Sequence, residues 1–165
     1  MTADEAVDFR SRLVSAARSY LGTKFEHQGR TRNGIDCVGL IVNALNDAGY
    51  NPVCRESIEK RDYHRVPSST ALTDRISAEC DYLAVGPSVA DYACENALPG
   101  DLLVMSYKRD EKPKHVALVS SGTGKDVRII HTNNETGMVK EHLLFPTYSL
   151  YVVALCRWKC LRLEA

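Results

Sequence analysis

The sequence predicts an α+β fold in which N-terminal helices pack on a central antiparallel β-sheet. Apolar residues recur at helical spacing up to residue 50, and after residue 100 they recur with a period of two. At 165 residues the chain is long enough for one domain that buries roughly two-thirds of its unfolded surface without covalent staples.

Thr2 and Glu5 stand in capping-box register ahead of Ala6, Phe9, Leu13, Ala16, Ala17 and Tyr20, so a first helix is expected over residues 3–21, ended by Gly22. Residues 22–35 are rich in Gly, Arg, Lys, Gln and Asn and read as a polar loop. A second helix begins at Asp36 or Cys37, carries Leu40, Ile41, Ala44, Leu45 and Ala48 on one face, and closes at Gly49. From residue 51 to about 97 the pattern weakens. A helix is expected around Ser69–Leu83, and "VGPSVADYACENALPGD" reads as a connector ending in a Pro-Gly turn. We treat 51–97 as a variable insertion in a single domain, 1–165. Then "DLLVMSY", "HVALVSS", "VRIIHT" and "YVVALCRW" alternate as strands do, and Trp158 in the last of them is expected to close the core. "KRDEKPK" (108–114) reads as a solvated hairpin tip.

Composition excludes several classes. Lys plus Arg number 21 and so do Asp plus Glu, so the overall charge balance argues for neither a nucleic-acid nor a membrane-surface partner. No apolar run reaches the ~18 residues of a membrane span, and "MTADEAVDFRSRL" lacks the basic start and apolar core of a secretory signal. The expectation is cytoplasmic synthesis. Cys37, Cys54, Cys80, Cys94, Cys156 and Cys160 form no CxxC pair. Cys156 and Cys160, if both on a strand, stand about 13 Å apart. No metal site, no disulfide framework and no cofactor is therefore expected, and most of these thiols read as small buried groups.

The residues that carry chemistry surround Cys37. A cysteine at a helix N-terminus faces free N–H groups and the positive end of the dipole, which favours the thiolate and lowers the thiol pKa. Asp36 is an N-cap by its residue type, and its charge opposes the thiolate, so its expected role is structural. Gly34 and Gly39 bracket the cysteine and could leave room for a substrate backbone. A nucleophilic cysteine needs a base, and the sheet half offers His115 at the start of "HVALVSS" and His131 at the end of "VRIIH". Neighbouring strands could bring those rings together, the first as base and the second as the group that orients it. His64 and His142 read as solvent-facing.

The motifs "YLGTKF", "HQGRTRNGIDCVGLI", "PGDLLVM", "HVALV" and "IIHTNNETGMVKEHL" occur in an order that resembles the NlpC-type cell-wall cysteine peptidases of the papain-like superfamily, in particular their phage-tail and gene-transfer-particle branch. The resemblance implies a papain-like NlpC fold. It also implies hydrolysis of peptidoglycan stem peptides, typically between γ-D-glutamate and a diamino acid, through an acyl-enzyme on Cys37. His115 matches the family's base and His131 its orienting residue. The Cys37 N–H would hold the oxyanion. The implied partners are the stem peptide and phage-like tail proteins, with action on the periplasmic cell wall after assembly into a particle.

One position departs from the family pattern. Twelve residues before the cysteine the family usually has a tyrosine whose hydroxyl serves the oxyanion side, and here that residue is Phe25. Three consequences are open: His27 supplies a donor instead, turnover is slower, or activity is lost. Val38, where the family often has serine, reads as a packing change. Two competing functions follow, a structural tail-tip protein that keeps the fold without turnover and an acyltransferase or thioesterase using the same Cys and His.

Overall fold

The computed structural model describes residues 1–50, 71–107 and 112–162. Helix α1 (Ala3–Arg18) opens with the expected capping box, in which the Thr2 hydroxyl accepts from Glu5 N–H and the Glu5 carboxylate accepts from Thr2 N–H. It ends three residues earlier than expected, and Tyr20 follows in a turn, still buried. Helix α2 (Cys37–Asp47) starts behind Asp36, and Gly49 with φ +83° supplies the left-handed exit that its position demands.

Four readings of local structure need correction. The polar loop 22–35 contains a tight hairpin, β1 (Arg30–Thr31) against β2 (Gly34–Ile35); strands of two residues leave no periodicity to detect. The helix expected over 69–83 lies partly outside the described residues and ends early. Helix α3 (Ala71–Glu79) runs directly into β3 (Cys80–Val85), and the assumed connector contains helix α4 (Val89–Asn96). The remaining strands are β4 (Leu102–Met105), β5 (His115–Ser121), β6 (Arg128–His131), β7 (Lys140–Leu143) and β8 (Val152–Trp158). Cys160 falls in a 3₁₀ turn after β8, not on the strand with Cys156.

The six strands form one antiparallel sheet in the order β3-β8-β4-β5-β6-β7. Its central strands are apolar on both sides, which means both faces are covered. Leu102, Val104, Val116, Leu118, Ile130 and Ala154 pack with the apolar sides of α1 and α2 and with Ile76 of α3. On the opposite face Leu103, Met105, Ala117, Val119, Ile129 and Leu155 meet Val89 and Ala93 of α4. Trp158 is buried as expected and donates its indole N–H to Gly100 O at 2.8 Å. Among the described residues no helix is long and apolar enough to cross a membrane.

Asp101, in the Pro-Gly-Asp turn, ties the layers together. Its fully buried carboxylate accepts from Arg10 of α1 at 2.8 Å, from Arg157 of β8 at 3.0 and 2.6 Å, and from Leu98 N–H at 3.0 Å. Removing one partner from such a buried network strands the others, at a cost of about 3–5 kcal/mol. Asp101→Ala is therefore expected to lower unfolding free energy in urea by about that amount. A loss within the error of the measurement would show that the two arginines find other partners.

Candidate active site

The site begins with a buried carboxylate. Asp36 is 3% exposed and its Oδ1 accepts from Gly39 N–H at 2.7 Å, capping α2. The same oxygen accepts from Arg30 Nη1 at 2.9 Å, and Oδ2 accepts from Gln28 N–H at 2.8 Å. One side chain thus holds the helix start, the hairpin and the turn at Gln28, which adopts φ +61°. Gly34 and Gly39 do not open room for a substrate. A Cβ on Gly34 would collide with the Glu26 side chain and one on Gly39 with Gly29 O. These glycines let the loop lie directly on the helix.

Cys37 takes the first position of α2, as expected, and the backbone N–H groups of Val38 and Val116 lie close enough to its thiol to lower its pKa. Val116 is the neighbour of His115, so α2 delivers the sulfur to the beginning of β5. The electrostatics overturn the expected low pKa. Burial, and after it the Asp36 charge, push the Cys37 thiol up to about 12 against the lowering effect of the two N–H groups and Arg30. Desolvation outweighs the helix terminus here. No hydrogen bond joins the thiol to His115 among the described residues.

The β5–β6 register pairs Leu118 with Ile130, so small Ala117 lies opposite His131 and leaves space for the His115 ring to reach across. His115 Nε2 and His131 Nδ1 are 2.7 Å apart with both rings buried. Burial holds His115 down to about 3 and, with the charges of its two histidine neighbours, His131 down to about 2. At neutral pH the resting site is therefore a neutral thiol beside neutral imidazoles.

Sequence reasoning missed three neighbours. His142, expected in solvent, is half-buried, and its Nε2 is 2.7 Å from His131 Nε2. Tyr148 lies against both rings, at centroid distances of 4.9 Å from His131 and 4.5 Å from His142. Tyr107 lies 5.7 Å from the His115 ring, accepts from Asn133 Nδ2 at 2.7 Å, and is close enough to Cys37 for a charge there to raise its pKa. The signal for His142 was its period-two relation to Lys140 in "VKEHL", a strand that its charges disguised. The tyrosines sit in turns, where sequence patterns are silent. Phe25 and His27 lie half-buried in the loop before the hairpin, and Phe25 N–H donates to Gly137 O at 2.9 Å. His64 lies outside the described residues.

The sequence profile of the NlpC/P60 family matches residues 22–154, and the chain belongs to that family. No curated protein matches it. The fold is similar to the NlpC/p60 domain of the peptidoglycan hydrolase SagA, with a TM-score of 0.57 at 20% identity over 90% of this chain and 97% of that one. It is similar also to an NlpC/P60 family protein from Bacillus cereus, TM-score 0.58 and 19% identity, where 90% of this chain covers 40% of the other. An N-acetylmuramoyl-L-alanine amidase from Bacteroides uniformis gives a TM-score of 0.56 at 10% identity over 92% and 99% of the two chains. These likenesses show the papain-like α+β fold that the motif order implied.

Two pH measurements follow from the neutral site. Alkylation of Cys37 by iodoacetamide is expected to accelerate steadily from pH 7 to 10, because the thiolate fraction keeps growing; a rate plateau beginning below pH 7 would instead reveal a preformed thiolate–imidazolium pair. Stability is expected to fall in mild acid. On unfolding, His115 and His131 recover proton affinity near pH 6.5, so below that value the unfolded chain binds protons that the folded chain does not. The full contribution is present above pH 6.5 and is lost progressively toward pH 3. Urea unfolding should show a loss of about 3 kcal/mol or more between pH 7 and 4.5, and equal stability at the two values would contradict neutral burial of the pair.

Proposed function

We propose that this chain is a cysteine peptidase that hydrolyses an amide bond of peptidoglycan stem peptides, of the γ-D-glutamyl–diamino acid type, through an acyl-enzyme on Cys37. The observation that carries the reading is the junction of α2 and β5, where the thiol meets Val116 beside a buried His115 that is itself bonded to His131. With Nε2 engaged by His131, His115 offers Nδ1 to the thiol. As Sγ attacks the carbonyl carbon, Nδ1 takes the thiol proton, so charge develops only when substrate is present. The Cys37 N–H at the helix start is suited to hold the oxyanion. His115 then passes the proton to the leaving amine. In the second half-reaction it takes a proton from water, which attacks the thioester and releases the carboxylate and the free thiol.

Phe25 brings no hydroxyl to the oxyanion, and His27 in the same loop is the donor we assign instead. The setting we propose is a phage tail or gene-transfer particle, synthesised in the cytoplasm and acting on the periplasmic wall. The support is the motif order of the sequence.

Incubation with purified muropeptides followed by mass spectrometry should give fragments split at the stem-peptide amide, and intact masses at long times would leave the structural tail-tip reading in its place. Cys37→Ala should abolish cleavage, His115→Ala should lower it about a thousandfold, and His131→Ala about ten- to a hundredfold. His27→Ala should cost roughly a hundred- to a thousandfold and Phe25→Tyr should restore part of it. If His27→Ala is silent while Phe25→Tyr alone raises turnover, the loop supplies no substitute donor.

A further inference from the structure

We infer that His142 is a positioning residue of this site: acting through His131, it fixes the proton of His115 on Nε2 and so keeps Nδ1 open to receive the proton of the Cys37 thiol. The inference rests on the roles proposed above for Cys37 and His115. It is carried by a hydrogen-bonded row of three histidines that crosses three strands and ends on a backbone carbonyl.

The sheet register builds the row. Ile129 pairs with His142, and the β5–β6 register sets Ala117 opposite His131, so His115, His131 and His142 share one face on diagonal positions of β5, β6 and β7. Successive rings meet edge to face, with centroids 4.9 and 4.8 Å apart and interplanar angles of 70° and 78°. Each contact joins two nitrogens, His115 Nε2 to His131 Nδ1 and His131 Nε2 to His142 Nε2, both at 2.7 Å. Two ring nitrogens at that distance must divide the roles, one donating and one accepting.

Those contacts alone allow two opposite orderings of the protons. The end of the row decides between them. His142 Nδ1 lies 3.0 Å from Leu143 O, and a carbonyl oxygen only accepts, so Nδ1 carries the proton. A neutral His142 then accepts at Nε2, which makes His131 Nε2 a donor. His131 Nδ1 is bare and accepts from His115 Nε2, and a neutral His115 is left with a lone pair on Nδ1. The reverse ordering would put a proton on His115 Nδ1 and block it as a base. Tyr148, packed against both His131 and His142, holds the two outer rings at the angle this requires. Without an acceptor at position 142, the fully buried His131 would keep an unpaired N–H, and the reverse ordering would relieve it.

Imidazole nitrogen NMR of the ¹⁵N-histidine-labelled full chain at pH 7.5 should place the protons of His115 and His131 on Nε2 and that of His142 on Nδ1. In His142→Ala the His115 proton should shift partly or wholly to Nδ1, and alkylation of Cys37 by chloroacetamide at the same pH should slow about tenfold, the scale of losing a partner that orients a reactive group. His142→Gln, whose amide oxygen can accept from His131 while its NH₂ donates to Leu143 O, should restore both readouts. A wild-type His115 protonated on Nδ1 would overturn the inference. So would a His142→Ala chain with unchanged tautomer and rate, or a slowed rate that Gln does not restore while the tautomer stays fixed, because that marks packing alone. Neither readout needs substrate. A chain that passes these tests and never cleaves muropeptides refutes the peptidase reading alone, and one that cleaves them while indifferent to His142 refutes only the inference.

Discussion

The buried carboxylate of Asp36 is the constraint on which the candidate site depends. Three donors from three segments converge on it: Gly39 of the helix, Arg30 of the hairpin and the backbone of Gln28. None of these segments would hold its place alone, since the hairpin has two residues per strand and the turn at Gln28 is left-handed. Satisfying the carboxylate forces them together, and the glycines at 29, 34 and 39 permit contact too close for any side chain. Cys37 inherits its position because it is the next residue. It also inherits a cost, because the charge that organises the loop disfavours a thiolate beside it.

That cost shapes the chemistry. A helix N-terminus in water would lower a thiol pKa, but here burial and Asp36 together outweigh the dipole. In the proposed mechanism the sulfur therefore needs a base at the moment of attack, and the base must be neutral to serve. Burial of His115 and His131 meets that need by the same physics, since desolvation disfavours the charged form of an imidazole as it does that of a thiol. The carboxylates Asp36 and Asp101 follow the other rule for buried groups and are ion-paired with arginines.

Much of this was legible in the sequence because it follows from short-range rules. The capping box at Thr2, the cap at Asp36, the left-handed Gly49 and the four strands led by residues 101, 115, 127 and 151 each depend on neighbours within a few residues. The pairing of His115 with His131 was legible because strands joined by a short turn share a register. What could not be read depends on the third dimension. Strand β3 lies at the sheet edge beside β8, far away in sequence, and β7 is an edge strand whose polar residues hide its alternation. The sign of the Cys37 shift was misjudged for the same reason: the helix terminus is visible in the sequence, whereas burial of the sulfur is set by packing of α2 on β5.

The edge position of β7 explains how a sheet can extend the buried histidine pair by a third ring. In an interior strand both neighbours are fixed and the faces are mostly filled with apolar side chains, as those of β4 are here. An edge strand has one free side, so His142 can be half in water while its Nε2 reaches the fully buried His131. The row of rings thus runs from the interior, where desolvation keeps a base neutral, to the rim, where a main-chain carbonyl of the same edge strand fixes the direction of its protons. The direction of polarisation at His115 is then set by sheet geometry two strands away, and any change that shifted the β6–β7 register by one residue would turn His142 to the other face and break the row.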